Sequence, residues 1–177
     1  MRRIGITGGI GSGKSVVSRL LRIMGYSVYD TDSEAKRLME SSLEVVQKLS
    51  ECFGRDIYHN GRLNRGLLSS RVFGKSDKIV LLNSIVHPVV RFDFYRWSES
   101  LNEEICFVES AILYESRFDE LVDEVWTVTA PEEPARRESR APQRQARRFD
   151  RGRDKKAYGC SIVRGRKTEK SCSYYLE

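Results

Sequence analysis

Residues that commonly hold metal ions are scarce in this sequence. Its 177 residues include two histidines and four cysteines, and no two cysteines are spaced as C-x-x-C. We therefore expect no zinc site. Cys52 and Cys106 lie in apolar segments, and we predict that both are small core residues, because free cysteine is usually buried.

Long apolar runs are absent as well. None approaches the roughly 18 residues that a membrane-spanning helix needs. The first seven residues are too short, and too soon interrupted by Gly5, to be a signal peptide. We expect a cytoplasmic protein without a membrane partner, and a length of 177 residues suits one domain with a sizeable core.

Most of the chain lacks an excess of positive charge. The net charge of +6 arises in residues 131–177, which hold 14 Lys or Arg and 7 Asp or Glu, whereas residues 1–130 hold 17 and 18. A nucleic-acid partner for the whole chain is therefore not expected. The remaining alternative is RNA binding through the arginine-rich tail, which predicts a steep salt dependence and loss of binding without residues 131–177.

Residues 131–177 also lack the side chains that build a core. They contain four of Val, Ile, Leu, Met and Phe, against 45 in residues 1–130, and Pro134 and Pro142 interrupt any helix there. A segment that buries so little apolar surface does not offset the entropy of ordering. We predict that residues 131–177 form a disordered basic tail and that residues 1–130 form the folded core.

Strand and helix patterns alternate through the folded part. Four apolar runs predict short buried strands, at residues 4–7, 26–29, 105–108 and 122–128. Helical patterns lie between them, which predicts an α/β fold with a parallel sheet and right-handed crossovers. The long helical stretch between the second and third strands, at about residues 33–100, predicts an inserted substrate-binding region.

Several local signals subdivide this inserted region. Capping-box patterns predict helices that open at Thr31 and Ser41. Residues 54–66 are rich in glycine and predict a loop. A helical pattern covers residues 77–97, where Pro88 predicts a kink or a boundary.

A glycine-rich segment predicts the chemistry of the folded part. Gly8-x4-Gly13-Lys14-Ser15 matches the P-loop pattern in full, between a predicted strand and a predicted helix. Its backbone N–H groups and the helix dipole bind phosphate oxygens, Lys14 reaches the β- and γ-phosphates, and Ser15 offers its hydroxyl to Mg²⁺. We predict that ATP is bound by Gly8, Gly9, Ile10, Gly11, Ser12, Gly13, Lys14, Ser15 and Val16.

A carboxylate follows the second predicted strand. The sequence Asp30-Thr31-Asp32 is expected at the carboxyl edge of the sheet, beside the P-loop. Thr31 is expected to cap the next helix, which leaves Asp32 to accept a proton from an attacking hydroxyl or to help hold Mg²⁺. No N-K-x-D segment for guanine is present, so a small-molecule kinase is favoured over a GTPase.

Taken together, these segments resemble the dephospho-CoA kinase family over about residues 3–130. The resemblance is carried by the P-loop in the form T-G-G-I-G-S-G-K-S from Thr7 to Ser15, by Asp30-Thr31-Asp32, and by three further segments, Gly61-Arg62-Leu63-Asn64-Arg65, Arg71-Val72-Phe73 and Ile85-Val86-His87-Pro88.

The resemblance implies a P-loop nucleotide-kinase fold and a reaction. The γ-phosphate of ATP, with Mg²⁺, would pass to the ribose 3′-hydroxyl of dephospho-coenzyme A, giving coenzyme A and ADP in the last step of CoA biosynthesis. Lys14 and Asp32 would be catalytic, and the acceptor would be bound by Thr7, Asp32, Arg65, His87 and Arg91. Other interpretations stay open: the two arginines as surface charges, His87 bonded to a backbone carbonyl, and another nucleotide kinase on the same scaffold.

The resemblance fails where the family has an arginine-bearing lid helix and a last strand. Arg136, Arg137 and Arg140 lie between two prolines and match lid arginines only loosely. Read one base along, codons that encode Pro134 to Arg144 can spell an amphipathic helix, Leu-Arg-Val-Glu-Ser-Arg-Val-Arg-Arg-Asn-Gly. We therefore hypothesise that residues from about 134 onward are a frameshifted lid, against the alternative of a true disordered tail, and expect weak activity and an exposed sheet edge.

Overall fold

The structure is a computed structural model that describes residues 1–129 and 161–166. The first half of the described chain runs β1 (Arg2–Thr7), α1 (Lys14–Ile23), β2 (Ser27–Asp30), α2 (Thr31–Ser41), α3 (Leu43–Phe53), a 3₁₀ turn (Arg55–Ile57), β3 (Tyr58–His59) and β4 (Arg62–Leu63). The second half runs α4 (Arg65–Val72), α5 (Ser76–Ser100), β5 (Ile105–Glu109), a second 3₁₀ turn (Phe118–Glu120), β6 (Glu124–Thr129) and β7 (Ser161–Arg166).

The main sheet has five strands in the order β2-β5-β1-β6-β7. The first four are parallel, as the sequence predicts, and β7 pairs antiparallel with β6. All four predicted strands are present with shifted ends. The starts of β1 and β6 shift by two residues each, to Arg2 instead of residue 4 and to Glu124 instead of residue 122. Val122 is buried in the core before β6 starts.

Alternating side chains on the strands build a core on each face of the sheet. Phe107 packs with Ile4 and Ile6 and with Val17 and Leu21 of α1 on one face. Its neighbour Val108 belongs to the larger cluster on the opposite face, under α2, α3 and α5. This alternation with a period of two is the reason that a short apolar run reads as a buried strand.

Four helices and a small hairpin lie between β2 and β5, where the sequence predicts an insertion. The prediction of a loop over residues 54–66 is wrong in part, since β3 and β4 form a hairpin there with Tyr58 opposite Leu63. Asn60 and Gly61 make its two-residue turn with φ of 49° and 75°, the backbone that a type I′ turn requires. The Asn-Gly pair was the available signal.

The predicted helices begin or continue differently at three points. Asp30, rather than Thr31, is the N-cap of α2, and Ser42, rather than Ser41, is the N-cap of α3. The helix α5 continues through Pro88, so the predicted boundary is wrong, and the kink remains a prediction. Pro88 lacks the N–H that would bond to the carbonyl of Ser84, and buried Val86, Val90 and Phe94 hold the helix on both sides of it.

The predicted disorder of residues 131–177 is wrong for the six residues of β7. They extend the sheet beyond β6, so the expected exposed edge of β6 is paired from Glu124 to Thr129. An unpaired edge strand is a template for another strand, and Ile162-Val163 is β-branched, as strands favour. The predictions for the rest of the tail, including the lid arginines Arg136, Arg137 and Arg140, lie outside the described residues.

Candidate active site

The P-loop connects β1 to α1 and lies against the end of β6. Gly8 has φ of 152°, and a Cβ there would lie 2.2 Å from the carbonyl oxygen of Val128. Gly13, the N-cap of α1, has a left-handed backbone with φ of 93°. Glycine at these two positions therefore lets the loop turn tightly over the carboxyl edge of the sheet.

The side chain of Lys14 folds back over this loop. Its ammonium donates hydrogen bonds to the carbonyl oxygens of Gly8 at 2.7 Å and Gly9 at 2.9 Å. Ser15 is exposed in the first turn of α1, where the free N–H groups and the helix dipole favour an anion. The lysine charge and the helix N-terminus thus converge on one side of the loop.

Three strands bring their carboxyl ends together beside the P-loop. Ile6 in β1 and Asp30 in β2 are both in register with Glu109 in β5. The hydroxyl of Thr31 donates to the carbonyl oxygen of Glu109 at 2.9 Å, and the N–H of Ser110 donates to that of Ile6 at 3.0 Å. The start of α2 is thereby tied to the strand next to the P-loop strand.

Asp30 fixes the first turn of α2, which carries Asp32. Its Oδ1 accepts from the backbone N–H groups of Asp32 at 3.0 Å and Ser33 at 3.4 Å, and its Oδ2 accepts from the hydroxyl of Ser33 at 2.8 Å. Thr31 was predicted as the cap, but its hydroxyl is engaged with β5. The carboxylate of Asp32 has no hydrogen-bond partner within the described part of the chain, as its expected role requires.

A cavity of about 170 Å³ opens between α2, α5 and the segment after β5. It brings together Asp32 and His87, two of the residues predicted for the site. Apolar side chains form most of the wall: Ala35, Met39, Leu82, Val86, Val90, Ile112 and Phe118. Thr31, Asn83, Ser110 and Ser116 complete the lining.

His87 is half-buried in this lining, and desolvation lowers its pKa below the usual value. The ring is therefore mainly neutral at pH 7. No described residue hydrogen-bonds to it, so the alternative in which His87 serves a backbone carbonyl is not seen among residues 1–129. A neutral imidazole offers one N–H donor and one acceptor nitrogen without a positive charge.

The two predicted arginines lie outside the cavity lining. Arg65, at the start of α4, pairs with Glu40 of α2 at 3.1 Å. Arg91, one turn after His87 on α5, pairs with Glu120 at 2.7 Å. Both are therefore held by carboxylates at the surface, where such pairs contribute little stability. Thr7, also predicted for the acceptor, is buried at the end of β1 opposite Thr127.

Asn83 is a residue that sequence reasoning missed. It lines the cavity from α5, four residues before His87. Residues four apart lie on the same face of a helix, so the spacing from His87 was the available signal. No comparable sequence signal indicated that Phe118 lines the cavity. Its 3₁₀ turn between two strands is too short to show a periodic pattern of apolar residues.

Three of the remaining predictions concern cysteines, membrane-spanning helices and metal sites. Cys106 is buried as predicted, and burial raises the pKa of its thiol to about 11. The prediction is wrong for Cys52, which is exposed on α3. Among the described residues, no helix has both the length and the apolar character to span a membrane. Within the same residues, no group of three or more His, Cys, Asp or Glu side chains could hold a metal ion.

Comparison with known proteins gives consistent matches. The family model described as CoaE: Dephospho-CoA kinase matches residues 2–149, and so extends past the resemblance traced in the sequence. A Porphyromonas gingivalis dephospho-CoA kinase is 48% identical over 132 residues, which cover 75% of this chain and 65% of that protein. A Bacteroides fragilis dephospho-CoA kinase is 42% identical over 130 residues, with 73% and 63% covered.

Solved structures give the same fold. The Thermus thermophilus protein TT1252 aligns with a TM-score of 0.58 at 35% identity and covers 70% of this chain and 63% of its own. A Campylobacter jejuni dephospho-CoA kinase aligns with a TM-score of 0.57 at 20% identity, covering 72% and 65%. The matched region thus spans less than two thirds of the length of these relatives.

Proposed function

Because the chain belongs to the dephospho-CoA kinase family, we propose that it transfers the γ-phosphate of ATP to the 3′-hydroxyl of dephospho-coenzyme A. The products are coenzyme A and ADP. The observation that supports this most is the position of Asp32, whose unpartnered carboxylate lines a cavity at the carboxyl edge of the sheet, where β5 lies between β2 and the strand β1 that leads into the P-loop.

The P-loop holds the donor in this mechanism. Backbone N–H groups of residues 8–16 and the N-terminus of α1 bind the phosphates of ATP. Lys14 exchanges the carbonyl oxygens of Gly8 and Gly9 for oxygens of the β- and γ-phosphates, where its charge stabilises the transferring group.

Asp32 acts on the acceptor. Its carboxylate accepts the proton of the 3′-hydroxyl as that oxygen bonds to the γ-phosphorus. The bond from the γ-phosphorus to the bridging oxygen breaks, and the electron pair leaves with ADP. Asp30 and Thr31 hold Asp32 in place through the N-cap and the bond to Glu109.

The protein oxygens present suit a Mg²⁺ ion that is held mainly by phosphates and water. This ion usually takes one or two protein oxygens together with phosphates and water, and the hydroxyl of Ser15 and the carboxylate of Asp32 supply such oxygens. When bound, Mg²⁺ would neutralise phosphate charge during transfer.

We assign two parts of the acceptor to two different surroundings, the apolar cavity and the surface arginines. The cavity has apolar walls and its charged lining residue among residues 1–129 is Asp32, so we assign the uncharged end of the acceptor to it, next to His87. Arg65 and Arg91 are exposed enough to exchange Glu40 and Glu120 for the acceptor's phosphates. Thr7 supports the P-loop at the end of β1. Cytoplasmic location is proposed because Cys52 and Cys106, the cysteines among residues 1–129, are free thiols, which suits a reducing compartment.

The test is an acceptor comparison. The chain, ATP and Mg²⁺ are incubated with dephospho-CoA or with nucleoside monophosphates, and ADP is measured. Dephospho-CoA is expected to raise ADP formation above the acceptor-free rate and the monophosphates are not. Equal stimulation by both would favour another nucleotide kinase on this scaffold.

A further inference from the structure

The acceptor cavity contains neutral hydrogen-bonding groups that no role yet accounts for. Its described lining includes no lysine or arginine. The hydroxyls of Thr31 and Ser116 already donate to the carbonyl oxygens of Glu109 and Ile112. The side chains of Asp32, Asn83 and His87 receive no hydrogen bond from the described residues.

Asn83 and His87 form one polar patch on a helix face that is otherwise apolar. They are four residues apart on α5, and the lining residues Leu82, Val86 and Val90 flank them. Side chains at this spacing lie next to each other along the helix. Across the cavity, α2 contributes Asp32. An acceptor whose hydroxyl is held at Asp32 would place the ring system that carries this hydroxyl in the space in front of α5.

The carboxamide of Asn83 has a specific chemical character. It offers two donors and one acceptor without charge. A phosphate needs donors alone, whereas the N6/N7 edge of adenine presents a donor beside an acceptor and pairs with a carboxamide in a bidentate manner. The half-buried amide in an apolar wall therefore suits a neutral base.

We propose that Asn83 is a specificity-determining residue of the acceptor site, where its carboxamide hydrogen-bonds to the adenine edge of the acceptor. This rests on the proposed function, since it assigns a substrate whose reacting hydroxyl lies on an adenine nucleoside. His87 packs beside the same base as a neutral partner, and the phosphates of the acceptor remain outside the cavity. A site built to hydrogen-bond a group discriminates against analogues that lack or reverse it.

The experiment measures base preference by calorimetry. The full chain is first saturated with a non-hydrolysable ATP analogue, so that the donor site cannot take up the acceptor. Dephospho-CoA and its hypoxanthine counterpart, in which a carbonyl replaces the amino group, are then titrated into the wild type, Asn83→Ala, Asn83→Gln and the control Ser84→Ala. Ser84 is exposed on the same helix, and its hydroxyl bonds within α5 to Leu81.

The wild type and Ser84→Ala are expected to prefer the adenine form by about tenfold, the worth of one or two hydrogen bonds. Asn83→Ala should bind the adenine form about tenfold more weakly and lose the preference, and Asn83→Gln should recover part of it. Affinity for the ATP analogue should not change in any variant.

Three results would overturn the inference: an unchanged preference in Asn83→Ala, equal weakening of both base forms, or no binding of either form by the wild type. The proposed function is tested separately by ADP formation. A wild type that binds dephospho-CoA with the expected preference but transfers no phosphate would contradict the reaction and support the assignment of Asn83. Normal transfer with no base preference would support the reaction and contradict the assignment of Asn83.

Discussion

The carboxylate of Asp30 accepts a hydrogen bond from the backbone N–H of Asp32, with 3.0 Å between Oδ1 and N. The two carboxylates therefore have different tasks although one residue separates them. Asp30 ends β2 and caps α2, and Asp32 extends from the first turn of that helix into the cavity. The accuracy with which Asp32 is placed depends on the cap.

Replacing Asp30 should affect both stability and turnover. Loss of an N-cap costs about 0.5–2 kcal/mol, so Asp30→Ala should lower the free energy of unfolding by that amount and reduce kcat through misplacement of Asp32. Asp30→Asn keeps an acceptor oxygen and should stay near the wild type in stability. Denaturant unfolding and steady-state kinetics measure the two effects. A wild-type kcat in Asp30→Ala would contradict the link between the N-cap and catalysis.

Asp32→Asn should reduce turnover far more than it weakens ATP binding. The amide keeps the size of the side chain but cannot accept the hydroxyl proton, so the loss falls on the chemical step. The measurement pairs kcat with the calorimetric Kd for ATP. A turnover within a few-fold of the wild type would assign Asp32 a structural role.

Lys14→Ala should abolish phosphoryl transfer and weaken ATP binding. The ammonium that lies over Gly8 and Gly9 supplies the positive charge for the β- and γ-phosphates. Lys48→Ala is the control, because Lys48 pairs with Glu44 on the exposed side of α3. Equal ATP affinity in the wild type and Lys14→Ala would contradict the P-loop assignment.

The half-buried ring of His87 predicts a pH dependence of stability. Because its folded-state pKa is lowered, the unfolded chain binds the proton more tightly, so this contribution is complete above the unfolded pKa of about 6.5 and is lost as pH falls below it. His87→Gln should flatten the dependence between pH 7.5 and pH 5. The chain has one other histidine, His59, which is exposed. His59→Gln is the matched control for the replacement of a histidine at an exposed position.

The sequence predicted the parts of the fold that depend on local patterns. The P-loop, the four parallel strands and the position of Asp32 follow from short signals whose physical causes lie within a few residues. The closing of Asp32 and His87 around one cavity was implied only by family resemblance, since it depends on how α5 packs on α2. Asn83 was missed although its spacing of four residues from His87 placed both on one helix face, because that spacing alone does not show that the face lines a cavity.

The C-terminal pairing could not be predicted for a different reason. The six residues of β7 are flanked by segments with a strongly charged composition, which indicated disorder for the whole tail. Pairing with the open edge of β6 is a tertiary effect that composition does not report.

The frameshift hypothesis predicts a specific nucleotide sequence. Codons 128–145, read one base along from codon 134, should spell an arginine-bearing amphipathic helix, and deleting that base should raise phosphoryl transfer. An arginine that stabilises the transferring phosphoryl group can contribute roughly 10³-fold in rate. Codons that spell no helix in the alternative frame would favour a true tail.

The most direct test of the account is transfer of labelled phosphate from γ-labelled ATP to dephospho-CoA by the chain as it stands. The account predicts label on the ribose 3′-oxygen of coenzyme A, formed slowly, dependent on Mg²⁺ and abolished in both Lys14→Ala and Asp32→Asn. Label that appears only as inorganic phosphate, at the same rate with and without dephospho-CoA, would contradict it.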